Sequence, residues 1–130
     1  MRYFIYLFIS LLLFSCSNPS PCVDIEYTGG LTYKDGVLYT GRCSVVKDDS
    51  IVSIQQYLSG RDHGNWVFYH SNGEIETKGK FKNGKRIGKW KYYHDNGNLK
   101  QISFYRDGEK SGIWSTYDYD GNLIKEVKVQ

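Results

Sequence analysis

Residues 81–104 read FKNGKRIGKWKYYHDNGNLKQISF, and the residues on either side repeat that pattern. Set in rows of 24 from Tyr33, the chain gives YKDGVLYTGRCSVVKDDSIVSIQQ (33–56), YLSGRDHGNWVFYHSNGEIETKGK (57–80), the quoted row (81–104) and YRDGEKSGIWSTYDYDGNLIKEVK (105–128), with no insertion. A ring opens each row, at Tyr33, Tyr57, Phe81 and Tyr105, and a glycine follows at Gly36, Gly60, Gly84 and Gly108. The last three rows share Gly64, Gly88 and Gly112, then Trp66, Trp90 and Trp114, then Tyr69, Tyr93 and Tyr117, then Gly73, Gly97 and Gly121. Ile51, Ile75, Leu99 and Leu123 hold one aliphatic column. Self-similarity at a fixed period is the signature of a repeat architecture, in which each unit buries its apolar face only by stacking on its neighbours.

Each row reads as two strands and two turns. Asn72-Gly73 and Asn96-Gly97, with Asp120-Gly121 in the last row, predict two-residue type I′ hairpin turns, because both positions accept positive φ. A short aromatic strand such as Trp90–Tyr93 precedes the turn, a longer one such as Leu99–Tyr105 follows it, and Lys82–Gly88 reverses the chain into the next row. No window has helical periodicity, so the expected fold is all-β: an elongated, single-layer antiparallel meander of repeated hairpins. The turn position sets Trp66 opposite Gly79 and Trp90 opposite Ser103, a large ring over a small neighbour. By parity Phe68, Ile75 and Phe81 join that face, and stacked rows would build a continuous aromatic stripe. Residues 23–32 and the first row read as an N-terminal cap, since Arg42 stands in the tryptophan column and Asp48-Asp49 at the turn; terminal repeats are usually atypical. Leu123–Val129 ends the sheet as an exposed edge whose charges oppose edge-to-edge pairing.

The pattern aromatic-x-Asn-Gly-Lys-Arg-x-Gly-x-Trp-x-Tyr-Tyr-x-x-Asn-Gly-x-Leu at Phe81–Leu99 resembles the MORN repeat. It looks more closely like the bacterial variant found in tandem arrays and often labelled an antitoxin. The resemblance spans residues 33–128 and is specific in the last three rows. It implies a twisted single-layer antiparallel sheet acting as an adaptor. An antitoxin of that kind works in the cytosol, so the label names the repeat, and an antitoxin- or immunity-like role ranks below binding.

The N-terminus carries a different signal. Residues 1–15, MRYFIYLFISLLLFS, place one cation, Arg2, before an apolar run that ends at Phe14. The run has the length of a signal-peptide core and falls short of the ~20 residues that span a bilayer. Leu13-Phe14-Ser15-Cys16 resembles the lipobox of bacterial lipoproteins, which implies cleavage before Cys16 and acylation of that residue. Several acyl chains together anchor a protein stably, where one chain does not. Residues 16–22 then form the lipidated cysteine and a polar tether. Ser17 after the cysteine favours, by resemblance to the usual sorting pattern, the outer membrane over the inner membrane of a bacterial cell envelope.

Charge excludes one class of partner. The chain has 17 basic and 14 acidic residues. Loss of Arg2 with the signal leaves 16 against 14, a net +2. The cations are scattered through every row, without the clustered excess of a nucleic-acid binder. With Cys16 acylated, Cys22 and Cys43 form an even pair. An oxidising envelope would allow a disulfide there, closing a loop of about 20 residues worth ~3 kcal/mol, although spacing leaves paired and unpaired states open.

Catalytic chemistry is absent from the motifs. His70 and His94 share a column with Asp118, and His63 stands apart. Equivalent residues of adjacent rows lie two strands apart, ~9.5 Å, so the ladder offers too few convergent ligands for a metal. No nucleophile sits beside a histidine, and no helix follows a glycine loop to cradle phosphate. The expectation is a non-enzymatic chain without cofactor or metal. Its candidate binding face is Trp66, Trp90, Trp114, Phe68, Tyr92, Phe81 and Tyr105. The expected partners are the membrane, through the anchor, and another protein, with a glycan or peptidoglycan fragment on the aromatic face as the alternative.

Overall fold

A computed structural model describes residues 19–129, all of them in strands, turns and loops. The signal segment 1–15 and the acylation site Cys16 lie outside the described residues.

Three short strands, β1 (Ile25–Thr28), β2 (Leu31–Lys34) and β3 (Val37–Leu38), make a small antiparallel sheet. The remaining nine make one large sheet: β4 (Gly41–Lys47), β5 (Ser50–Leu58), β6 (Arg61–Asp62), β7 (Gly64–Tyr69), β8 (Ile75–Lys82), β9 (Lys85–Tyr93), β10 (Leu99–Arg106), β11 (Glu109–Tyr117) and β12 (Leu123–Val129). Its order follows the chain from β4 to β12, with β6 and β7 sharing the same flank of β5. This is the antiparallel hairpin meander that the repeat pattern predicts. The first row divides between the sheets: Tyr33–Leu38 belongs to the small one, and Gly41 opens the large one.

In the last three rows the two turns exchange the roles the sequence suggests. Asp35-Gly36, Ser59-Gly60, Asn83-Gly84 and Asp107-Gly108 have positive φ at both residues, as does Asp48-Asp49. These are the two-residue turns, closed by pairs such as Lys82 with Lys85. At Asn72-Gly73, Asn96-Gly97 and Asp120-Gly121 only the glycine has positive φ. There Gly73 N–H donates to His70 O, and His70 N–H donates to Glu74 O. The loop is therefore three residues, a type I turn closed by a left-handed glycine.

A three-residue loop should have shifted every pair downstream, yet Trp66 does pair with Gly79 and Trp90 with Ser103. A β-bulge absorbs the difference: Tyr69 pairs with Ile75 but Phe68 with Thr77, so Glu76 is the extra residue. The bulge also corrects one placement. Paired residues share a face, so Ile75 lies with Tyr69 and not on the Phe68–Phe81 face that parity assigned to it.

Residues 19–21, within the segment read as a tether, run against β4. Ser44 N–H donates to Ser20 O, Ser44 Oγ–H to Pro19 O, and Cys22 N–H to Ser44 O. This covers the outer edge of β4, and Cys22 is joined to Cys43 with Cα atoms 5.0 Å apart.

Candidate binding faces

The glycines at Gly64, Gly88 and Gly112 shape the aromatic face. All three have positive φ, near 65°, which an L side chain adopts only under strain. At Gly88 the strand buckles: Lys78 pairs with Lys91 and Lys80 with Ile87, so Gly79 alone faces the stretch Gly88–Trp90. The slack lets Trp90 lean over Gly79, where a β-carbon would stand 2.2 Å from the indole.

The rings then form one line across the sheet. Successive centroids lie 5.6 Å apart for Tyr39–Tyr57, 5.4 Å for Tyr57–Trp66, 5.0 Å for Trp66–Phe81, 5.1 Å for Phe81–Trp90, 6.2 Å for Trp90–Tyr105 and 5.6 Å for Tyr105–Trp114. Tilted and edge-to-face contacts at these distances suit the ring quadrupole and add ~0.5–1.5 kcal/mol per pair beyond area burial. Phe68 flanks Trp66 at 6.0 Å. Trp66, Phe81, Trp90, Tyr105, Trp114 and Phe68 thus come together. At the N-terminal end the Cys22–Cys43 bridge packs against Tyr57 and Trp66, where the first row has no tryptophan.

A cation covers this line. The Arg86 guanidinium lies 4.5 Å from the Trp90 ring centroid and 5.4 Å from that of Tyr105. It donates to the hydroxyls of Tyr92 and Tyr105 at 3.3 and 3.2 Å, which ties Tyr92 to the stripe. Burial, then the Tyr105 hydroxyl, holds the Tyr92 hydroxyl above its ordinary value. Burial also acts to raise Tyr105, but hydrogen bonds from Tyr92 and Arg86 outweigh it and leave that hydroxyl lowered. Lys110 repeats the arrangement over Trp114 at 4.8 Å. Arg86 stands in the repeat pattern, but neither it nor Lys110 was expected at the site, although both occur four residues before a tryptophan. Tyr57 was legible from its column, which it shares with Phe81 and Tyr105.

Exposure decides what this face can offer. Trp90 is 0 % exposed and Trp66 8 %. Both are packing residues, and the accessible parts of the face are Arg86 and the half-buried rings of Phe68, Phe81, Tyr92, Tyr105 and Trp114. The indole N–H groups of Trp66 and Trp114 donate to the Gln56 and Phe104 carbonyls, whereas that of Trp90 is buried without an acceptor.

The histidines hold rows together. His70 Nε2 lies 3.0 Å from Tyr93 O, and His94 Nε2 lies 3.2 Å from Tyr117 O. Asn72 and Asn96 donate in the same sense to Asp95 O and Tyr119 O. In the last row Asp118 closes its own loop, accepting from the backbone and side-chain amides of Asn122; these bonds hold its carboxyl below the usual range. Among the described residues no cluster of three metal-ligating side chains occurs.

The opposite face is basic. Arg42, Lys78, Lys80, Lys89 and Lys91 border an open groove of about 640 Å³ whose lining includes Val67 and Ile87.

Hairpins stacked in register, each completing the core of the next, define a repeat scaffold. A family model described as MORN repeat variant matches residues 62–83, 86–107 and 110–130, half of the chain. The chain belongs to the MORN repeat variant family. No curated protein and no solved structure shows a significant match to it.

Proposed function

We propose that this chain is a membrane-anchored, non-catalytic lipoprotein of the bacterial cell envelope whose repeat sheet binds another protein. The observation that carries the reading is the continuity of both faces across rows: one line of rings on one side, one basic groove on the other. Such surfaces suit an extended partner better than a small substrate. The motifs hold no nucleophile–base pair, which supports a non-enzymatic role. The Leu13–Cys16 lipobox supports the anchor, and Ser17 supports the outer membrane. A glycan platform is the weaker reading, because Trp66 and Trp90 are taken up by packing.

Labelled palmitate should enter the native chain, and Cys16→Ser should abolish both labelling and membrane fractionation. Crosslinking and affinity capture of the C-terminally tagged, anchored protein should enrich a specific protein over a control lipoprotein with an unrelated domain. Failure of the labelling removes the anchor, and failure of the capture removes the adaptor reading.

A further inference from the structure

We infer that the partner of the basic groove is an acidic protein segment in extended conformation, with glutamate or aspartate and apolar residues interspersed at every second position, on the one side that faces the groove. The inference deepens the adaptor reading and rests on it. Five cations border the groove, from β4, β8 and β9, and among the described residues no acidic one lines it. Lys78 and Lys91 are directly opposed on adjacent strands and both are half-buried. Like charges directly opposite each other destabilise a sheet, and an anion laid between them would relieve that repulsion. Lys78 rests over the Tyr93 ring at 5.4 Å and Lys89 over Phe104 at 5.5 Å, so both ammonium groups are held along the sheet. Glu126, on the same face at β12, accepts a hydrogen bond from Ser115 and takes no part in the groove.

The apolar residues select among anions. Val67 pairs with Lys78, and Ile87 pairs with Lys80, so aliphatic and cationic side chains lie side by side. A phosphate or uronate polymer would satisfy the lysines and leave the aliphatic groups uncovered. In a peptide strand residues i, i+2 and i+4 share one side, so acids and apolar groups interspersed at every second position face the groove together. Charge complementarity of this kind sets association rate and specificity.

The test uses the full-length chain in detergent and a fluorescent peptide repeating Glu-Ser-Val-Ser, which sets glutamate and valine in turn along one side of a strand. Saturable binding is expected, weakened about tenfold or more in Lys78→Gln/Lys91→Gln and weakened by salt, because exposed charges are screened. Circular dichroism and the unfolding midpoint of the double variant report that the sheet remains formed. No binding, or equal binding by the variant, overturns the inference. So does equal or tighter lysine-dependent binding of polygalacturonate or phosphatidylglycerol vesicles, which would make the groove a general polyanion site. If the crosslinked partner of the native protein is retained by the double variant, the groove inference fails and the adaptor reading stands. If no partner is captured at all, the adaptor reading fails first.

Discussion

The indole of Trp90 rests on the backbone of Gly79 so closely that a β-carbon there would meet the ring at 2.2 Å. Trp90 belongs to the third row and Gly79 to the second, so this contact is where one repeat seats on another. Gly79→Ala should displace the ring and destabilise the chain by ~1–3 kcal/mol, as overpacking does. Trp90→Ala should lose ~3–5 kcal/mol. The diagnostic is a double-mutant cycle in urea: Gly79→Ala should cost far less in a Trp90→Leu background, and an additive result would show that the two residues do not meet.

The loop ladder predicts a smaller, row-specific effect. His94→Ala removes the bond to Tyr117 O, and His70→Ala the bond to Tyr93 O. Each should lower stability by ~0.5–1.5 kcal/mol. Hydrogen exchange of the loop at 118–122 should quicken in His94→Ala and remain unchanged in His70→Ala. The same protection pattern in both variants would rule out row-by-row bracing.

Tyr57 predicts alkaline behaviour. Burial, then the nearby Asp62 carboxylate and Tyr39, push its hydroxyl up to about 12. The unfolded value is about 10, so the folded chain holds this proton more tightly. The stabilisation is complete below about pH 10 and is lost as pH rises toward 12. Between about pH 10 and 12 the stability of the native protein should therefore fall more steeply than that of Tyr57→Phe, and parallel curves would contradict the assignment.

The Cys22–Cys43 bridge closes a loop with a sequence separation of 21. By the loop-entropy relation it is worth ~3 kcal/mol. Cys22→Ser/Cys43→Ser should lower the unfolding midpoint by about that equivalent, and dithiothreitol should lower that of the native protein but not of the double variant. A native midpoint insensitive to reductant would show that the bridge does not form in the mature chain.

What the sequence determined by itself is local and periodic. The 24-residue period and the all-β meander follow from turn chemistry and side-chain alternation, whereas the expected pairs Trp66–Gly79 and Trp90–Ser103 form because a bulge offsets the longer loop. Tertiary structure decided three things. Asn83-Gly84 and Asn96-Gly97 are the same dipeptide, yet one makes a two-residue turn and the other closes a three-residue loop; register with the neighbouring strands selects between them. Ile75 left the face that parity gave it because a bulge at Glu76, invisible in alternation, reverses the side from that point. The burial of Trp90 needs Gly79 from one row, Phe81 and Arg86 from its own and Tyr105 from the next. The lysines of β8 and β9 already alternate in the sequence. That they converge from two strands with no carboxylate among them depends on which faces meet, and only the assembled sheet decides that.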